Sequence, residues 1–314
     1  MNKNQELVPG CLATYTVDMA DEPLPIAHDT FVAHWSLTLQ ASRTPRAHAQ
    51  IFDVLRKDGT PAILKVYRDD TLGYETHAPA FLDHMTGCGT VRLYGRHGAA
   101  VLQEKQGGPP LARMAVDGQD AEATDILIGI AQHMTRRPAP PGIAEDRDVR
   151  VRYQALLADD LPDTPETRTD IFHAARALAD TLMRQSEGQP RCLLHGDLHH
   201  DNILLGARGW LAIDPIVFRG SPEAEFAQVF RNPRGLGDNL TDPTLAIRRA
   251  TQIASATGFE AKTLLAWGAA KCAHSLVLNH ANREKRAQEH RILTALMTAW
   301  RSLDTLPASP APPR

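Results

Sequence analysis

Between Leu193 and Pro215 the chain reads LLHGDLHHDNILLGARGWLAIDP, and no other stretch restricts the possible folds as much. A polar loop, His195 to Asn202, runs into Ile203-Leu204-Leu205, turns through Gly206-Ala207-Arg208-Gly209, and returns as Trp210-Leu211-Ala212-Ile213 to end on Asp214. Two short apolar segments around a glycine-bracketed turn predict a small hairpin. Asp197 and Asn202 then stand just before its first strand, and Asp214 closes its second. An acid, an amide five residues later and an acid at a strand end can converge on one metal ion and one hydroxyl. Phosphoryl transfer needs such a set. Taken singly, Asp and Asn also suit turns, so the reading depends on what accompanies them.

The accompaniment lies upstream. Strand-like segments occur at Trp35–Leu39, Ala47–Leu55 and Ala62–Tyr67, and Asp58-Gly59 between the last two is a hairpin signal. Leu72, Tyr74 or Glu75, Ala78, Phe81 and Leu82 fall at helical spacing and predict a helix over 72–85. Val91–Tyr94 and Ala99–Gln103 add two strands around Gly95–Gly98. Lys65 sits mid-strand in Ala-Ile-Leu-Lys-Val-Tyr, and Glu75 follows ten residues later. A lysine among apolar strand residues is expensive to bury unless a carboxylate meets it. Glu75 is the natural partner, leaving Lys65 donors for nucleotide phosphates.

Gly107-Gly108-Pro109-Pro110 interrupts this pattern as a hinge. Beyond it the periodicity predicts helices over 119–136, 147–158, 165–187, 222–230, 243–257, 260–282 and 284–303, several with proline in the first turn. The expected organisation is an N-terminal extension (1–34) with a short helix near Ile26–Val32, a sheet lobe (35–106), a helical lobe (107–305) and a proline-rich, disordered tail (306–314). The fold class is α+β.

Composition narrows the classes further. At 314 residues, with 43% hydrophobic and 23% charged residues, the chain is that of a globular protein with a sizeable core. A net charge of -3 gives no general basic field for nucleic acid. The apolar run Leu264–Leu278 carries Lys271 and His274, so it predicts a buried helix rather than a membrane span. Cys11, Cys88, Cys192 and Cys272 are scattered and read as free thiols; with no apolar signal-like run near the start, the expectation is cytoplasmic.

With Lys65, Glu75, Asp197, Asn202 and Asp214 in this order, the chain resembles the kinase-like phosphotransferases of small molecules. More closely, it resembles the aminoglycoside 6-phosphotransferases (streptomycin 6-kinases) and hydroxyurea kinases. The closer match rests on Asp58–Lys65, on Leu193–Leu204 with its double histidine, on Trp210–Pro215, and on Phe230-Arg231-Asn232-Pro233. The resemblance implies a two-lobed protein-kinase-like fold using ATP and Mg2+. It implies that Asp197 receives or orients the acceptor hydroxyl, that Asn202 and Asp214 hold the magnesium, and that Lys65, positioned by Glu75, clamps the phosphates. Adenine would lie at the hinge near Gln103-Glu104-Lys105. The partner would be a small hydroxylated acceptor, foremost a streptomycin-type aminoglycoside, with hydroxyurea or an unknown metabolite as the alternative, in a monomer or dimer. Three departures stand out. The phosphate-covering loop at 41–47 has no glycine, so Ser42, Arg43 or Arg46 would replace its backbone amides. Ile216-Val217-Phe218-Arg219-Gly220 replaces a Lys-Gly after Asp214-Pro215. Glu223 and Glu225 stand where an aspartate is usual.

Two other classes compete. A pseudokinase would bind nucleotide without transferring phosphate; the glycine-free loop suits it and the intact acidic set opposes it. A metallohydrolase would use His195, Asp197, His199 and Asp201 as alternating ligands, but it needs further ligand clusters that the sequence lacks. Asp159, Asp160, Asp163, Glu223, Glu225 and Asp238 are candidates for a pocket that receives a cationic sugar.

Overall fold

The computed structural model describes residues 28–43, 49–189 and 191–303. Most of the N-terminal extension, with Cys11, much of the phosphate-covering loop, with Arg46, and the proline-rich tail therefore lie outside the described residues. A short helix α1 (Asp29–His34) leads into β1 (Thr38–Ser42), β2 (Ala49–Leu55) and β3 (Pro61–Tyr67), then α2 (Ala78–His84), β4 (Leu93–His97) and β5 (Ala100–Glu104). These strands form an antiparallel five-stranded sheet in the order β1-β2-β3-β5-β4. Gly59 makes the β2–β3 turn at φ 79°, where Arg56 N donates to Thr60 O at 2.9 Å.

Two expectations in this lobe need correction. The first strand begins at Thr38 rather than Trp35, because Trp35 ends α1 and the chain reverses at Ser36 with φ 50°. The Trp35 ring packs over Gly95, where a Cβ would come within 3.1 Å of Nε1. The helix expected over 72–85 is broken: Leu72 and Gly73 take positive φ, a 3₁₀ turn covers Gly73–Glu75, and α2 starts at Ala78 with Pro79 in its first turn. Proline in the interior of one longer helix would clash and lose a bond. Gly73 and Pro79 were the readable signs.

One sheet face buries Phe52, Val54, Ala62, Leu64, Val66, Ala100 and Leu102 as a small core with Leu37. Register places Ile51, Lys65 and Val101, and then Asp53, Ile63 and Gln103, on the other face. That face looks toward the second lobe. Phe81 and Leu82 of α2, with Met85 just after it, join the larger core rather than the sheet's own, so the lobes share side chains.

The second lobe comprises α3 (Ala112–Val116), α4 (Asp120–Thr135), α5 (Val149–Leu157), α6 (Asp170–Gln185), β6 (Cys192–Leu194), β7 (Ile203–Gly206), β8 (Gly209–Ala212), β9 (Phe218–Gly220), α7 (Pro243–Thr257), α8 (Ala261–Leu278) and α9 (Arg283–Ser302). The hairpin predicted after the polar loop is β7–β8, and β9, absent from the sequence reading, pairs with β6. Caps fix the helix starts: Asp148, Thr169, Asp242 and Asn282 each accept a backbone N–H from the first turn. Thr169 explains why α6 starts at Asp170 instead of Pro165. Residues 222–230, expected as an α-helix, form a 3₁₀ segment over Pro222–Arg231. α8 is buried on nearly every face from Leu264 to Val277. Among the described residues no helix is long and apolar enough to cross a membrane.

The hinge is fastened to the hairpin. Gly108 N donates to Leu205 O at 2.9 Å, and a side chain at Gly108 would meet that oxygen at 2.6 Å. Glu104 accepts from Arg208 in the β7–β8 turn and from Arg92 N. These bonds bring the polar loop under the sheet.

Candidate active site

Lys65 projects from β3 into the cleft and is only 3% exposed. Its Nζ lies 2.8 Å from Glu75 Oε2 and 2.6 Å from Asp214 Oδ1, so one amine joins the sheet lobe to the helical lobe. Tyr67 donates its hydroxyl to the same Glu75 oxygen at 2.8 Å. Burial disfavours the lysine charge, but Asp214 and Glu75 outweigh it and hold the amine well above the usual lysine range. Asp214 itself adopts φ 59°, a conformation uncommon outside glycine.

The polar loop is built around a neutral histidine. His195 is fully buried; its Nε2 donates to Ile213 O at 2.9 Å and its Nδ1 accepts from Asp197 N at 3.3 Å. Burial pushes it down to about 4, in keeping with a neutral ring that splices the loop to the strand before Asp214. Ile213 N donates to Asn202 O, and Ile216 N and Val217 N donate to His195 O. Asn202 and Asp214 are thereby held together by their backbones.

Asp197 receives bonds on both oxygens. Gln228 donates to Oδ1, and Asn202 Nδ2 donates to Oδ2 at 3.3 Å and to the Asp197 carbonyl at 2.9 Å. His199 Nε2 stands 3.6 Å from Oδ2, its Nδ1 stands 3.5 Å from Asp201, and Arg152 stands 3.9 Å from Oδ1. Burial alone would raise the Asp197 carboxyl, yet His199, Arg152 and Lys271 hold it far below the carboxylate range. His199 is raised to about 9, the two aspartates overcoming its burial. These neighbours favour the ionised form of Asp197.

The hinge residues divide. Gln103 is 4% exposed and shares the cleft face of the sheet with Lys65. Lys105 engages Asp53 on that face at 2.9 Å, and Asp53 also takes two bonds from Arg43. The Lys105 amine is thus committed to a neighbouring strand.

Three of the six acids expected to line a pocket are engaged with the protein itself. Glu225 turns inward at 2% exposure, accepting from His195 N at 2.6 Å and Gly196 N at 3.2 Å. Asp163 pairs with Arg168, and Asp238 pairs with Arg291 at 2.8 Å. Burial pushes Glu225 up to about 7 despite the two amide bonds. Glu225, Gln228 and Arg231 are three apart, the repeat that lines up side chains on a 3₁₀ helix. Sequence reading with a helical period of 3.6 named Glu225 and Arg231 but missed Gln228 and the row that joins the three. Arg231 then bonds Gln228 Oε1, Glu289 and Ser275, so the row anchors the loop to α8 and α9.

Comparison with known proteins agrees with this architecture. A streptomycin 3''-kinase of Klebsiella pneumoniae is 36% identical over 229 residues, which is 68% of this chain and 77% of that protein. A hydroxyurea phosphotransferase of Kitasatospora aureofaciens is 30% identical over 218 residues, 67% of this chain and 62% of the relative. Among solved structures, a thermostable mutant of the aminoglycoside phosphotransferase APH(4)-Ia, in complex with ADP and hygromycin B, shares the fold at a TM-score of 0.55. It is 15% identical and covers 87% of this chain and 98% of its own. The profile described as aminoglycoside/hydroxyurea antibiotic resistance kinase matches residues 34–282, and the chain belongs to that kinase family.

Proposed function

We propose that this kinase transfers the γ-phosphate of ATP to a hydroxyl of a small molecule at Asp197, with a streptomycin-type aminoglycoside as the first acceptor to test and hydroxyurea as the second. The observation that carries the reading is the Lys65–Asp214 bridge between the lobes, spliced through Ile213 and Asn202 to the loop that holds Asp197. The ADP in the complex of the related fold supports an adenine nucleotide, and the relatives' names supply the acceptors. The sheet lobe (35–106) would bind nucleotide and the helical lobe (107–305) the acceptor.

In this reading Lys65 releases Asp214 to the nucleotide and keeps Glu75 as its anchor while its donors meet phosphate oxygens. Asp197 is a weak base because its carboxyl is held so low. Its first task is to orient the hydroxyl, and it takes the proton as the oxygen–phosphorus bond completes. The bond from the γ-phosphorus to the bridging oxygen breaks, and its electron pair leaves on ADP. Rate comes from alignment and fixed charge rather than a covalent intermediate.

The residues fit magnesium. Asn202 uses its N–H groups on Asp197, and its amide oxygen accepts no hydrogen bond among the described residues. With a carboxylate from Asp214 this is an oxygen set of the kind Mg2+ takes together with nucleotide phosphates and waters. The ion would neutralise charge developing on the phosphates. A cytoplasmic enzyme, where ATP is plentiful, is the setting this chemistry suits.

Transfer of labelled γ-phosphate to streptomycin or hydroxyurea, abolished by Asp197→Ala, tests the reading. ATP binding without transfer to any acceptor would favour a pseudokinase.

A further inference from the structure

The cleft face of the sheet carries a second charge cluster beside Lys65. Ser42 of β1 pairs with Phe52, so Arg43, whose N–H donates to Ile51 O at 2.9 Å, stands opposite Ile51. Ile51 in turn stands opposite Lys65. Directly paired residues share a sheet face. Arg43, Ile51 and Lys65 therefore form one row across the cleft face, and two strand spacings separate the backbones of the two cations by about 10 Å. In the neighbouring row Ala41, Asp53, Ile63 and Gln103 follow one another across the strands. The Arg43 guanidinium reaches Asp53 of that row as a fork, Nε to Oδ2 at 3.0 Å and Nη2 to Oδ1 at 2.8 Å. Lys105, just past β5, meets the same Oδ1 at 2.9 Å. Asp53 is one carboxylate carrying two cations, one more than its charge requires. The Arg43 side chain is 47% exposed, against 15% for Asp53.

We propose that Arg43 is a phosphate-binding residue whose guanidinium leaves Asp53 for the nucleotide polyphosphate, while Lys105 keeps Asp53 neutralised. The inference rests on the proposed kinase reading, in which Lys65 marks the path of the phosphates. A planar fork that meets a carboxylate through two bonds meets a phosphate in the same way. An ion pair this exposed is worth little, so breaking it costs little. No glycine stands between 41 and 47 to bring backbone amides close to the phosphates, and a long cationic side chain at 43 spans that gap instead. Asp53 is then a positioning residue. It holds the fork on the cleft face and competes with the phosphates for it. The two partners should therefore act with opposite sign: losing Arg43 weakens nucleotide binding, and losing the Asp53 charge strengthens it.

The test uses the full chain as wild type, Arg43→Met, Asp53→Asn and the double variant. Each is titrated by calorimetry with AMP-PNP, ADP and adenosine, with Mg2+ present. Arg43→Met should weaken AMP-PNP and ADP about tenfold, the scale of one hydrogen bond to a charged group, and leave adenosine unchanged. Asp53→Asn should tighten AMP-PNP a few fold by freeing the fork. In the double variant that gain should vanish, whereas a simple change of field at the phosphates would tighten binding with or without Arg43. Lys105 still meets Asp53 in Arg43→Met, so that variant should keep the wild-type urea midpoint. Unchanged AMP-PNP affinity in Arg43→Met, an equal loss for adenosine, or a gain from Asp53→Asn that persists without Arg43 would overturn the proposal. So would a loss of nucleotide that appears only with a lowered urea midpoint. Arg43-dependent nucleotide binding with no transfer to any acceptor would count against the kinase reading and leave the phosphate contact standing. Arg43-independent binding with normal transfer would do the reverse.

Discussion

In the proposed reading, the nucleotide side and the acceptor side of this site differ in how completely the protein satisfies its own charges. On the nucleotide side Lys65, Glu75, Tyr67 and Asp214 close on one another within 2.8 Å. On the acceptor side Asp197 is held from four directions, yet in the same lobe His274 Nδ1 on α8 and Glu223 Oε2 are buried without a hydrogen-bond partner. A closed network fits a cosubstrate whose charge pattern is always the same. An open one leaves the choice of acceptor to whatever completes it.

The sharpest way to break this contrast is Asp197→Ala. The acceptor side should lose about 10²–10⁴-fold in kcat, the scale of a positioned acid–base group, while AMP-PNP affinity stays within a few fold. Parallel turnover and calorimetry would show it; equal losses in both would mean the two sides are not separable. Lys65→Met attacks the closed side instead. It leaves Glu75 and Asp214, each about a quarter exposed, without their common cation. Nucleotide affinity should fall about 100-fold, with about 2–3 kcal/mol of folding stability lost in urea titration, less than for a fully buried pair.

How much of this was legible follows the same division. Lys65, Glu75, Asn202 and Asp214 were readable because each sits in a short motif whose local pattern already implies its partner. Glu75 lost its expected helix without losing its role, since the 3₁₀ turn still delivers it to Lys65. Gln228, Arg152 and Lys271 were not readable. Each belongs to a different element, and their common target becomes visible only when α5, α8 and the 3₁₀ segment pack around the loop. Glu225 looked like substrate-facing acid because sequence gives no inside or outside to a 3₁₀ face.

Gln228→Leu sharpens the account of that face. Freed on Oδ1, Asp197 should swing, and kcat should fall about tenfold, the worth of one hydrogen bond to a charged group, with AMP-PNP binding unchanged. A matching loss of nucleotide affinity would show that the strap supports both sides. Glu225→Gln should have the smallest effect on turnover, a few fold, and a distinct effect on pH dependence. Burial pushes the Glu225 carboxyl up from 4.5 in the unfolded chain to about 7 in the folded protein. Between those values the folded protein holds a proton the unfolded chain has lost, so stability falls as pH rises from about 4.5 through about 7. Urea unfolding across that range should decline for wild type and be flatter for Glu225→Gln. Parallel curves would place the Glu225 proton elsewhere.

The most direct measurement of the central claim is transfer of labelled γ-phosphate from ATP with Mg2+ to streptomycin and to hydroxyurea, by wild type and Asp197→Ala, with AMP-PNP binding measured on the same preparations. The account predicts transfer by wild type to at least one acceptor, loss of that transfer in the variant, and nearly equal nucleotide binding by both. Normal turnover in Asp197→Ala, or transfer lost only because nucleotide no longer binds, would contradict it.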